Sequence, residues 1–428
     1  MRRLPPSEVD KWRLKALLLV CHAFPRNRYM EPVNGEIGRL LLPHLDRVLG
    51  HYDAICVKHG EQPIFVHELA STLLAASRFS NAEWKAEAIS RTKKLLEDDK
   101  DPYMNAWLAY RESAIARMFG KEAESEDALQ RFLQFSTTLG QEEFKLDPRF
   151  NAQRGDLIIS FSENLIRQGK LLEAKKELIE WKPLGGSQST LEGITLRARD
   201  ITLGKVLRYQ GFFEEARTLL EGVLQNSVLD DYFEGTGWYR VLLSNVADLY
   251  CELGLPANSE KLIMQELSPM KERGTQDIAT GRRLQMSLAE TYLQRHMYAK
   301  AESLLLDLQR AFMSSDGPEY TSDVNTFRIW ILLARISHAQ SCWDGCLARW
   351  KHALSVLERL NLDRGFNSGL VRCSIADVLF MTGHRTEAAE MFRKAQADMT
   401  SEPRIFWIPL FNSQWHDFIM DRLKEIEY

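Results

Sequence analysis

The chain has 428 residues, 27% charged and 45% apolar, values ordinary for a folded protein and unlike those of a disordered chain. Its 55 basic and 59 acidic side chains leave a net charge of −4 without a long block of either sign, which argues against the basic stripe of a nucleic-acid-binding surface. Only 24 glycines and 14 prolines punctuate it, too few for a loop-rich β architecture, so helix is the expected state.

The first apolar run, Ala16–Phe24, is less than half a membrane crossing long, and Glu8 and Asp10 precede it. Neither a membrane span nor a secretory leader is expected there. Six cysteines (21, 56, 251, 342, 346 and 373) are too sparse for a disulfide framework, so reduced thiols and a cytoplasmic location are expected. Residues 1–60 read as an N-terminal helical segment and 61–150 as degenerate helical repeats. In the latter, Ala86 occupies a small-residue slot, and Gly120 marks a turn before Ser125 and Leu129.

From about 151 to 400 the pattern becomes regular. In LGKVLRYQGFFEEARTLLEGVL, Gly204 follows Leu203, Gly211 makes a turn, and Ala216 opens an apolar series at Leu220 and Leu224. The small residue of the second helix recurs at Ala174, Ala216, Ser259, Ala301, Cys346 and Ala388, in steps of 42, 43, 42, 45 and 42. Each unit reads as two helices with facing apolar stripes, kept close by the small residues. A glycine between them accepts the positive φ that ends the first helix. Pro183, Pro269, Pro318 and Pro403 fall after second helices, where a missing N–H costs least. One such pair cannot bury its own faces, so six of them must stack. Residues 401–428, with Trp407, Phe411, Trp415, Phe418, Ile419 and Leu423 at helical spacing, read as a C-terminal capping helix.

This pattern resembles the tetratricopeptide repeat in its longer-unit form, as in kinesin light chains and the repeat region of fungal NB-ARC proteins. The resemblance implies an all-α, right-handed α-solenoid of antiparallel helix pairs. Phe24-Pro25 and Leu42-Pro43-His44 are similar to the junction between the nucleotide-binding part and the repeats in those fungal proteins.

Catalytic chemistry is not legible. No G-x-x-x-x-G-K-[ST], H-E-x-x-H or G-x-S-x-G occurs, and Gly235-Thr-Gly237 runs on into Trp238 and Tyr239. Cys342 and Cys346, with His338 and His352 nearby, have the residue types of a metal site, but Cys346 stands in the small-residue slot and is expected to face its partner helix. Trp330, Trp343 and Trp350 are expected in the core rather than in an aromatic cage. No enzyme, cofactor or metal is therefore expected.

The first helix of each unit should line the concave face of a solenoid. Its outward-pointing polar residues include Glu163, Lys205, Arg208, Asn245, Asp248, Glu290, Arg335, His338 and Asp377. The peptide-binding set drawn from them is Lys205, Arg208, Asn245, Asp248, Glu290 and Arg335. Asn245 offers a donor and an acceptor to an extended backbone, as peptide-binding relatives of the repeat family do. The expected role is a protein-interaction scaffold holding a partner peptide in this groove, without nucleic acid or membrane. Two alternatives stand beside it: the sensor part of an NB-ARC-like switch acting on a separate NTPase, and an accessory enzyme with an inter-helix pocket.

Overall fold

The structure, a computed structural model, describes residues 5–26, 32–59, 65–79, 82–138, 147–185, 189–227, 231–234, 236–314, 324–360, 362–401 and 403–424. Among the described residues there is no strand. Helices follow one another in pairs: α1 (Pro6–Ala23) with α2 (Pro32–His59), α3 (Val66–Ala76) with α4 (Ala82–Leu95), and α5 (Pro102–Met118) with α6 (Glu122–Thr138). Next come α7 (Pro148–Arg167) and α8 (Leu171–Glu180), then α9 (Thr190–Tyr209) and α10 (Phe213–Ser227). A single turn, α11 (Asp231–Glu234), precedes α12 (Gly237–Glu252) and α13 (Pro256–Glu272). The last pairs are α14 (Ala279–Gln294) with α15 (Tyr298–Ser314), α16 (Val324–Ala339) with α17 (Trp343–Arg359), and α18 (Phe366–Met381) with α19 (Arg385–Ser401). A non-helical stretch from Pro403 then enters a π-helical turn, Phe411–Trp415, and α20 (His416–Leu423).

The six recurring small residues explain why the pairs close. Ala174, Ala216, Ser259, Ala301, Cys346 and Ala388 are all fully buried, each where a larger side chain would hold two backbones apart. Gly204 makes the same point on α9: a Cβ there would stand 2.5 Å from Leu220 of α10. Between the helices of a pair the chain turns through positive φ, at Gly211 (+86°) for example. In the α14–α15 and α16–α17 pairs His296 (+59°) and Ser341 (+55°) adopt that conformation instead. An L side chain in the left-handed region is strained by about 1–2 kcal/mol. Ser341→Gly is therefore expected to stabilise the protein by about 0.5–1 kcal/mol once the entropy of glycine is deducted. A rise in the urea midpoint would register this, and an unchanged or lower midpoint would count against it.

Particular residues settle where sequence reading placed them only roughly. The small slot of the α3–α4 pair is filled by Ala88, 1% exposed, whereas Ala86 faces outward. Phe24 closes α1 in the core, and Pro43 lies inside α2 with His44 exposed. Cys346 is buried while Cys342 is exposed at its turn, so the two do not share an environment. Trp350 is fully buried, and Trp330 and Trp343 pack partly buried against the same core. Pro269, expected after a second helix, lies inside the last turn of α13, and Pro318 lies outside the described residues. No described helix is long and apolar enough to cross a membrane.

The chain divides into two compact units. The first comprises Met1–Asn164, Ile179–Arg199 and Asp231–Gly237, and the second Leu165–Leu178, Asp200–Asp230 and Trp238–Tyr428. In the first unit, Leu17, Cys21 and Phe24 of α1 meet Leu45 and Leu49 of α2 and Leu69 and Leu73 of α3. In the second, Phe327, Ile331, Trp350, Leu370, Ile375 and Phe392 form the core of the last pairs. Ile408, Phe411, Trp415, Ile419 and Leu423 of the C-terminal segment complete that core. Besides packing on the last pairs, this segment reaches back along the first helices of the second unit.

Candidate functional site

Of the polar residues singled out on the first helices, Arg208, Arg335, His338 and Asp377 meet the chain's own C-terminal segment. Arg208 (2% exposed), Asn245 (0%), Asp248 (2%), Glu290 (0%) and Arg335 (6%) are buried, while Lys205 stays partly exposed. His338 and Asp377 are buried as well, and Glu163 is partly exposed.

Asp248 is the centre of the charge arrangement. Arg328 grips it with both ends of its fork, Nη2 donating to Oδ1 at 2.7 Å and Nη1 to Oδ2 at 3.0 Å. Arg208 Nη2 stands 3.8 Å from the same carboxylate. Burial alone would raise the Asp248 pKa, but the two guanidiniums outweigh it and hold the carboxyl below its usual range. One helix further on, Arg335 Nη1 donates to Glu290 Oε1 at 2.7 Å. Glu290 goes the other way, because burial outweighs the attraction of Arg335 and raises its pKa.

The same arginines read the backbone of the C-terminal segment. Arg208 Nη1 donates to the Phe406 carbonyl and Arg335 Nη1 to that of Pro409, each at 3.4 Å. The Phe406 N–H donates to the Tyr209 carbonyl at 3.0 Å, and the Phe406 ring packs edge-on to Phe213. Glu252 on α12 accepts from the Leu410 N–H at 2.8 Å and the Ser413 hydroxyl at 2.7 Å. Leu410 itself has φ +60°, so Glu252 anchors a residue held in a strained conformation. Further along, Trp415 Nε1 donates to Ser374 Oγ at 3.0 Å, and Arg422 Nε lies 3.0 and 2.9 Å from the two oxygens of Asp377. His338 Nε2 lies 2.8 Å from Asp377, with its ring enclosed by Trp343, Trp415 and Phe418.

Asn245 does not reach this segment. Its Nδ2 donates to the Val241 carbonyl one turn back on its own helix, and its Oδ1 is buried without a partner. Two residues that carry the geometry escaped the sequence reading, Arg328 and Glu252. Spacing could have found both: Arg328 is seven residues before Arg335 and Glu252 four after Asp248, which puts each pair on one helix face.

Burial, only partly offset by its two donors, raises the Glu252 pKa. A carboxyl raised in the folded state contributes stability that is complete below its unfolded value, 4.5, and is lost as pH rises through the folded value. Glu252→Gln is therefore expected to lessen the fall in stability between pH 4.5 and neutrality and to cost little, since the Ser413 hydroxyl can reverse and accept. Glu252→Ala, which strands the Leu410 N–H, should cost about 1–3 kcal/mol. Chemical denaturation at several pH values measures both, and equal losses in the two variants would contradict the assignment.

These helix pairs, with buried small residues at near-constant spacing and a polar first-helix face, define an all-α helical-repeat protein. Among solved structures, the chain is similar in fold to a Rap protein complexed with competence and sporulation factor, at 12% identity over 76% of this chain and 88% of that one, TM-score 0.49. It is also similar to the apo quorum sensor NprR from B. thuringiensis (14% identity, 92% and 99% covered, TM-score 0.46) and to a human IFIT1 dimer with PPP-AAAA (14%, 91% and 86%, TM-score 0.47). No protein-family model and no curated protein matches it.

Proposed function

We propose that this chain is a non-catalytic interaction scaffold that recognises an extended polypeptide on the first-helix face of its second unit. The observation carrying this reading is the handling of residues 406–410: Tyr209, Arg208, Glu252 and Arg335 meet their main-chain N–H and C=O groups, the chemistry that holds any extended peptide. The resident segment itself stays in place, because its buried side chains are worth more than a typical peptide can supply in exchange. A partner segment then docks beside it, where Lys205 and Tyr209 remain partly exposed.

The test is recovery of a polypeptide partner by the wild type and by Lys205→Glu, a change at a partly exposed position that leaves the core intact. Loss of the partner in the variant supports the reading. Equal recovery moves the surface elsewhere.

A second reading has one observation in its favour. The α1–α2 pair leaves Trp12 (57%), Leu19 (70%) and Leu40 (73%) exposed, an apolar surface that would suit a docking NTPase in an NB-ARC-like switch. Association with an NTPase that Leu19→Glu and Leu40→Glu abolish would favour this second reading.

A further inference from the structure

The first unit contains an arginine whose surroundings call for a negative charge that no described residue supplies. Arg111 projects from α5 toward the end of α3. Its Nε donates to Ser77 Oγ and its Nη2 to the Ser77 carbonyl, both at 2.9 Å. Those two bonds occupy the side-on edge of the guanidinium and involve only neutral acceptors. The end-on edge, the Nη1 and Nη2 hydrogens pointing away from Ser77, takes no acceptor among the described residues.

The nearest charges make matters worse for a cation. Burial, with the Arg78 guanidinium next and Arg117 also near, pulls the Arg111 pKa down to about 10. Glu112, the adjacent carboxylate in sequence, is engaged by Lys93 and Arg131, each at 2.7 Å. One helical turn before Arg111, and on the same face of α5, Trp107 has its Nε1–H buried without any acceptor. Arg111 nevertheless remains partly exposed, so a solute can reach it.

A guanidinium bonded only to neutral groups, in the field of two further cations, is well placed to take an anion on its open edge. The free end-on edge has the fork geometry that matches two oxygens of one group. We infer that Arg111 is the anchor of an oxyanion-binding site in the first unit, which takes a carboxylate or phosphate group end-on. This site is independent of the peptide face proposed for the second unit and uses none of its residues.

The experiment is thermal unfolding of the full chain in inorganic phosphate and, separately, in succinate, each against chloride at equal ionic strength. A saturable rise in midpoint with either anion is expected in the wild type, and the better anion identifies whether phosphate or carboxylate is preferred. In Arg111→Gln the apparent affinity should fall at least about tenfold, the loss of one charge-assisted fork. Arg111→Lys, which keeps the charge without the fork, should also bind more weakly and serves if the glutamine variant fails to fold. Phosphate stabilises many proteins without binding them. A non-saturating rise, a rise equal in wild type and both variants, or no rise in either anion would overturn the assignment.

Discussion

Deletion of residues 404–424 is expected to abolish cooperative folding of the second unit. Ile408, Leu410, Phe411, Ile419 and Leu423 are at most 1% exposed and Trp415 is 8% exposed. At about 1.5–3 kcal/mol for each large apolar side chain buried, these six contribute roughly 10 kcal/mol or more. That equals the whole stability of an ordinary domain, about 5–15 kcal/mol. Truncation would also uncover Trp350, whose ring stacks on Phe411 and Trp415 at 6.2 and 5.7 Å. The single change Trp415→Ala should cost about 3–5 kcal/mol through the cavity it leaves. Urea unfolding and limited proteolysis measure both. If the truncated chain kept its unfolding midpoint, the segment would be peripheral, and the first-helix face would be free for an exchangeable ligand.

Replacing Asp248 is expected to be nearly as damaging, for an electrostatic reason. Asp248→Asn keeps the shape of the side chain but leaves the buried Arg208 and the largely covered Arg328 beside a neutral amide. Removing one member of a buried pair in this way costs about 3–5 kcal/mol, because the remaining charge has lost its water without compensation. The wild type should show the same dependence as a pH effect. Because the folded-state pKa of Asp248 lies below its unfolded value of 3.8, its contribution is complete above that value and is lost as pH falls through the folded one. The acid limb of the stability curve should therefore lose steepness below pH 3.8 in Asp248→Asn. An Asp248→Asn protein as stable as the wild type at neutral pH would show that water solvates the two guanidiniums in place of Asp248. Replacing Asp248, Arg208 and Arg328 together by apolar residues of similar size should recover much of the loss, since it removes the stranded charges along with their partner.

What could be read from the residues alone was the local part of the structure. Helical periodicity, the turn glycines and small residues about 42 positions apart all act between neighbours in the chain, and they were sufficient to define the helix pairs. The sequence also picked out the polar face of the first helices, since Arg208, Asp248, Glu290 and Arg335 break the apolar pattern at predictable positions. It could not say what that face meets. Asp248 and Arg328 are 80 residues apart and Glu252 and Leu410 158 apart, and nothing local links such pairs. A charged residue facing water and one facing a buried counter-charge occupy the same place in a helical pattern. Only the return of the C-terminal segment over the first helices, which withdraws water from those charges, decided that they pair with one another and with its backbone.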